Sequence, residues 1–179
     1  MSDPHARPIK RIADSRSATS VLMGTQDANV MGNVHGGVIM KMVDEAGALV
    51  AIRHANTLCV TVAIDSMTFM QPVRVGNLVT CRAELTYVGQ TSMEVRVEVI
   101  AEDLLTGTSH VTNSAYLVYV ALDLNGNKTI VPELHYETPE ERLRAEQARE
   151  RQAFRKGQRE REQHFTQEMP PVPMKVPFS

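Results

Sequence analysis

The chain has 179 residues, 42% of them apolar, enough for one ordinary domain with a core plus an extension. Its formal charge is −2 and its pI is near 6.3, with no Trp and 4% aromatics. Neither basic excess nor stacking rings point to nucleic acid or an anionic membrane as partner.

Residues 1–16 are polar and irregular and are read as an N-terminal arm, and residues 1–8 hold no apolar core of a signal peptide. Residues 18–23 are a short strand candidate, and 24–29 carry loop chemistry. From residue 36 to 53, apolar side chains recur at spacings of three and four, which predicts a helix. Ala48 and Ala51 close the stripe nearly all round, so this helix is expected to be buried, with Lys41, Asp44 and Glu45 as exceptions. Those charges interrupt the longest apolar stretch, residues 38–52, so it cannot span a membrane. The chain is expected to be soluble and cytoplasmic.

The periodicity then changes. Residues 58–70, rich in Val, Thr and Ile, read as a long strand that ends at Pro72. The turn Arg74-Val75-Gly76-Asn77 leads to a strand over 78–87, and Gly89-Gln90 to one over 93–101. That last segment alternates strictly, which predicts one buried and one wet face. Gly107 turns the chain into a strand over 111–124, and Asn125-Gly126 is a tight-turn signal. The two cysteines, Cys59 and Cys81, fall within these strands; they are read as free thiols suited to a reducing cytosol. A strand, a buried helix and four strands in meander predict an α+β domain over residues 17–137, one antiparallel sheet of roughly five strands wrapped round a central helix. Its free edges invite pairing between subunits.

Thr138-Pro139-Glu140-Glu141 is a helix start, with Thr as cap and Pro at the first position. The helix over 138–168 is too charged for a core and is read as solvated, held by intrahelical ion pairs and interrupted at Gly157. Residues 169–179 form a Pro-rich tail.

Two features carry chemistry. Gly32-Asn33-Val34-His35-Gly36-Gly37 meets the start of the buried helix. A tight turn with close packing accounts for the glycines; so does a backbone that lets a ligand reach helix N–H groups able to stabilise an oxyanion. Asp44 lies within the apolar helix, where an unpaired carboxylate is expensive. It is a surface residue, an ion-pair partner of Lys41, or a general base or nucleophile. Gly37 and Asp44 lie roughly 10 Å apart along a helix axis, at about 1.5 Å per residue, too far to serve one carbonyl. If Asn33, Gly37 and Asp44 share a site, Asp44 comes from a second subunit. The six histidines show no metal-ligand spacing, Ser66 lacks a Gly-x-Ser-x-Gly context, and Cys59 has no evident His partner. His35 is read as structural or ligand-orienting rather than as a base.

The run Asn33-Val34-His35-Gly36-Gly37-Val38-Ile39-Met40-Lys41-Met42-Val43-Asp44-Glu45-Ala46-Gly47 resembles the first helix of the cytosolic acyl-CoA hydrolases, the brain-type and YciA-like thioesterases of the hotdog fold. The likeness continues through residues 60–73, 89–94, 125–128 and 131–134. It implies hydrolysis of a fatty acyl-CoA to free acid and CoA. Asn33 and Asp44 would be the catalytic pair, meeting across a homodimer that assembles as a trimer of dimers. Gly36 and Gly37 would polarise the thioester carbonyl. His35, Ser66, Met67, Phe69, Gln90, Thr91 and Ser92 would line the acyl and pantetheine channel, and Arg74, Arg82 and Lys128 would contact phosphate. No metal or separate cofactor is expected, coenzyme A being part of substrate and product. The alternatives are an aryl-CoA thioesterase of the phenylacetyl-CoA type and a non-catalytic acyl-CoA-binding module. A hotdog dehydratase would need a His–Glu or His–Asp pair, which His35 alone does not supply.

Overall fold

A computed structural model describes residues 7–168. The helix α1 (Gly36–Ala55) is the centre of the molecule. It lies against a five-stranded sheet of β2 (Ser17–Leu22), β3 (Leu58–Phe69), β4 (Asn77–Val88), β5 (Ser92–Asp103) and β6 (Thr108–Leu122). Two short strands, β1 (Ile9–Arg11) and β7 (Glu133–His135), pair in parallel beside it. The helix α2 (Pro139–Glu168) follows.

The spatial order is β2-β4-β5-β6-β3, with every neighbouring pair antiparallel. The expected four-strand meander is therefore only β4-β5-β6. The strand β3 pairs with β6, not with β4, and β2 takes the vacant side of β4. The cause is the helix. α1 packs across the sheet and ends at Asn56, whose left-handed φ of 55° reverses the chain into β3 on the far edge. β2 and β3 are the two edges.

The alternation of β4, β5 and β6 supplies the core. Val79, Leu85, Val95, Val97, Leu117 and Tyr119 are fully buried against Ile39, Val43, Ala46 and Val50 of α1. Ala83, Ala101 and Ala115 keep the sheet surface low enough for the helix to approach.

The outer face of β5 was expected to be wet; α2 lies over part of it and buries Glu94, while Arg96 and Glu98 stay half-exposed. Thr138 caps this helix as anticipated, accepting from the Glu141 N–H at 3.2 Å while Glu141 accepts from the Thr138 N–H at 3.2 Å. Several of its arginines form ion pairs with the sheet. Arg144 meets Glu84 at 2.5 Å and Arg151 meets Glu94 at 2.7 Å, while Arg155 contacts both Glu94 and Asp65. Its own Ala145 and Ala148 are buried, and Gly157 does not interrupt it. The arm also differs from its reading. Ile12 and Ser15 are buried, and Arg7 donates to the carbonyls of Val131 and Gly89 at 2.8 and 2.7 Å. The Pro-rich tail, residues 169–179, and residues 1–6 of the arm lie outside the described residues.

Candidate active site

The approach to α1 is a built turn. Asn29 Oδ1 accepts from the N–H groups of Met31 and Asn33 at 2.8 and 3.3 Å, and Gly32 takes a φ of 77° that only a residue without Cβ adopts freely. Asn33 then bridges to Arg74, and Val34 donates to the Val73 carbonyl at 2.8 Å. These contacts fix Asn33 one turn before the helix. His35 is its N-cap: Nδ1 accepts from the Gly37 N–H at 2.9 Å. The Gly37 N–H, expected to be free for a substrate carbonyl, is thus engaged, and the His35 ring is a cap rather than a wall of the channel. Among the described residues the Gly36 N–H keeps no partner. Gly36 lines a cavity of about 270 Å³ together with Asn33, Ile39, Phe69 and Asn113. Gly36 lies close to Phe69, whose ring would sit 3.4 Å from an added Cβ.

Asp44 lies eight residues further along α1, roughly 12 Å by the helix rise, and does not line that cavity. Thr61 Oγ1 donates to its Oδ1 at 2.6 Å. The Tyr119 hydroxyl donates to its backbone carbonyl at 2.9 Å and reaches Oδ1 at 3.3 Å. Gly47 makes this possible, since a Cβ there would overlap the Tyr119 hydroxyl. Burial, then the Asp44 charge, pushes the Tyr119 phenol far above its ordinary value, so it stays a donor. Lys41 pairs with Glu45 at 3.7 Å, not with Asp44. Asp44 is therefore held by hydroxyls, and beside it runs the open edge of β3.

That edge is apolar. Leu58, Val60, Val62 and Ile64 of β3 are exposed, as are Met40, Leu49 and Ile52 of α1. Burial pushes Cys59 and Cys81 up to about 11, which keeps both as inert thiols.

The remaining expected site residues separate. Thr91, Ser92 and Lys128 meet in a groove of about 570 Å³ beneath α2, with Val62, Ala63, Val118 and Val120 as floor and Arg149, Arg155, Lys156 and Arg159 as wall. Phe69 goes to the Asn33 cavity, and Arg74 flanks Asn33. Met67 packs against the core. Ser66 is exposed on β3 beside Tyr116, and Gln90 holds a turn by accepting from the Val131 N–H at 2.9 Å. Arg82 is elsewhere, in a shallow pocket with Arg16, Glu84, Arg96 and Glu98, away from both the Asn33 cavity and the groove under α2. Thr61 and Tyr119 were not singled out from the sequence. Their signal is weak: a hydroxyl on an exposed position of β3 and another on a buried position of β6. No group of three His, Cys, Asp or Glu able to hold a metal occurs among the described residues.

Residues 31–108 match the model of the thioesterase superfamily. A solved structure described as an apo-hexameric acyl-CoA thioesterase is 35% identical and superposes with a TM-score of 0.81, over 84% of this chain and 97% of that one. The chain belongs to the thioesterase superfamily. Its sheet wrapped round one central helix is the hotdog fold of that superfamily. Another similar member is an acyl-CoA hydrolase from Staphylococcus aureus, solved with butyryl-CoA and CoA: 29% identity, TM-score 0.82, covering 89% of this chain and 98% of that one. Variants of that hydrolase with one asparagine, one aspartate or one threonine replaced by alanine have also been solved. The mouse cytosolic acyl coenzyme A thioester hydrolase is 42% identical over 137 residues, 72% of this chain. This superfamily member spans about a third of the mouse relative's length, 34%.

Proposed function

We propose that this chain is an acyl-CoA thioester hydrolase whose site is shared by two copies. The observation that carries the reading is the separation along α1. A cavity with Asn33 and a free Gly36 N–H sits at one end, and a hydroxyl-held Asp44 sits beside an unpaired, apolar edge strand further on. Pairing of β3 with a second β3 would satisfy the edge and bring the Asn33 cavity of one copy to Asp44 of the other. The S. aureus variants support it, because the residue types replaced there are those of Asn33, Asp44 and Thr61.

Asp44 takes a proton from a water that adds to the thioester carbonyl. The Gly36 N–H stabilises the oxyanion, with Gly37 contributing only once the His35 cap is displaced. Asn33 positions the water or the carbonyl. The tetrahedral intermediate collapses with loss of the CoA thiolate, a good leaving group that needs no strong general acid. The basic groove under α2 supports the reading that Lys128 meets the phosphates of CoA, with Thr91 and Ser92 beside the pantetheine arm. We further propose assembly as a trimer of dimers, as hexameric relatives suggest, and work in the cytoplasm, in keeping with the mouse relative's name. No helix among the described residues is long and apolar enough to cross a membrane.

The test is a CoA-release assay with fatty acyl-CoAs of several lengths, phenylacetyl-CoA and an acyl-pantetheine. Asp44→Ala and Asn33→Ala should each lose about a hundredfold or more in kcat. Lys128→Ala should raise KM for acyl-CoA but not for acyl-pantetheine. Undiminished hydrolysis by both site variants would sink the proposal, and phenylacetyl-CoA as preferred substrate would replace the fatty acyl reading with the aryl one.

A further inference from the structure

The Asn33 cavity contains a polar group that the mechanism above does not use. Asn113, on β6, is 1% exposed and lines the cavity beside Phe69, its cross-strand partner. Its Nδ2 donates to the Thr68 carbonyl at 3.1 Å. Its Oδ1 is buried without a hydrogen-bond partner. Buried acceptors are nearly always paired, and a lone one is costly unless a donor arrives. The neighbouring strands do not provide one, since their N–H groups serve the ladders of β6 with β3 and β5.

The proposed substrate has few donors to offer. A thioester carbonyl and sulfur only accept, and a fatty acyl chain does neither. The first N–H along the CoA arm is the cysteamine amide, two carbons beyond the sulfur. A carbonyl held at Asn33 and Gly36 leaves that amide within the span of the same small cavity. The apolar faces of Phe69 and Ile39 suit the two methylenes between them.

We propose that Asn113 Oδ1 accepts a hydrogen bond from the cysteamine amide N–H of the bound thioester, making Asn113 a specificity-determining residue that distinguishes a pantetheine thioester from a simple one. This rests on the hydrolase reading.

Two small substrates with one acyl group test it: the S-acyl-N-acetylcysteamine and its analogue in which an ester oxygen replaces the amide N–H. Wild type should prefer the amide by about tenfold or more in kcat/KM, because a site built to take a hydrogen bond rejects the analogue that lacks the donor. In Asn113→Leu the ratio should fall to near one, whatever the absolute rates. A merely structural role for Asn113 would lower both activities and leave the ratio unchanged, which would overturn the assignment. If the variant does not fold, wild type decides alone: equal hydrolysis of both thioesters overturns the assignment and leaves the hydrolase reading standing. Hydrolysis of neither thioester nor of acyl-CoA would overturn both.

Discussion

The Asp44 carboxylate receives its shortest hydrogen bond from Thr61, at 2.6 Å, and the Tyr119 hydroxyl bridges its backbone carbonyl and Oδ1. Two hydroxyls thus orient the carboxylate without a cation beside it. The arrangement depends on a missing atom. Gly47, one turn beyond Asp44, leaves the space that the Tyr119 hydroxyl fills. Gly47→Ala should therefore cost about 1–3 kcal/mol by overpacking and lower kcat as Tyr119 is displaced. Tyr119→Phe removes the clashing oxygen, so the double variant should be more stable than the sum of the single changes allows. Chemical denaturation of the three variants checks this, and strict additivity would contradict it. The sequence showed Gly47 only as part of a motif. Its reason is a tyrosine 72 positions away, on a strand whose facing is fixed by tertiary packing.

At the scale of elements, α2 shows what pattern reading can and cannot recover. Its capping box was legible because it is local, as were α1 and the turns at Gly107 and Gly126, both with positive φ. Its partners were not. Glutamates interleaved among arginines look self-sufficient, yet Arg151 and Arg155 reach Glu94, which is 2% exposed and also receives the Thr86 hydroxyl at 2.7 Å. Arg151 also lies over the Tyr116 ring, 3.8 Å from its centre. The alternation of β5 was right, but alternation cannot say that a later helix covers part of the outer face. Removing Glu94 leaves Arg151 without its buried partner and Arg155 with Asp65 alone. Glu94→Ala should cost about 3–5 kcal/mol and speed amide exchange along α2. A loss below about 1 kcal/mol, the range of an exposed pair, would contradict a buried clamp.

For the whole molecule, the question is where one site ends and its second copy begins. The residue types of the proposed site are legible: Asn33, the glycines and Asp44 stand out against an apolar helix, and the helix rise alone sets Gly36 and Asp44 roughly 12 Å apart. What the sequence could not supply was the edge. A meander would have paired β3 with β4. Pairing with β6 instead leaves its other side open, with irregular register near Thr61 and Ile64. That irregularity is also why Thr61 was missed, since a shifted register changes which side chains face the helix. In the proposed shared site, Asn33 and Asp44 work in trans. The direct test co-expresses Asn33→Ala with Asp44→Ala and measures CoA release by the mixed assembly. Random pairing of two inactive chains gives half heterodimers, each with one intact site, so activity should return to about a quarter of wild type. Activity no higher than that of either variant alone would put both residues in one subunit's site and contradict the claim.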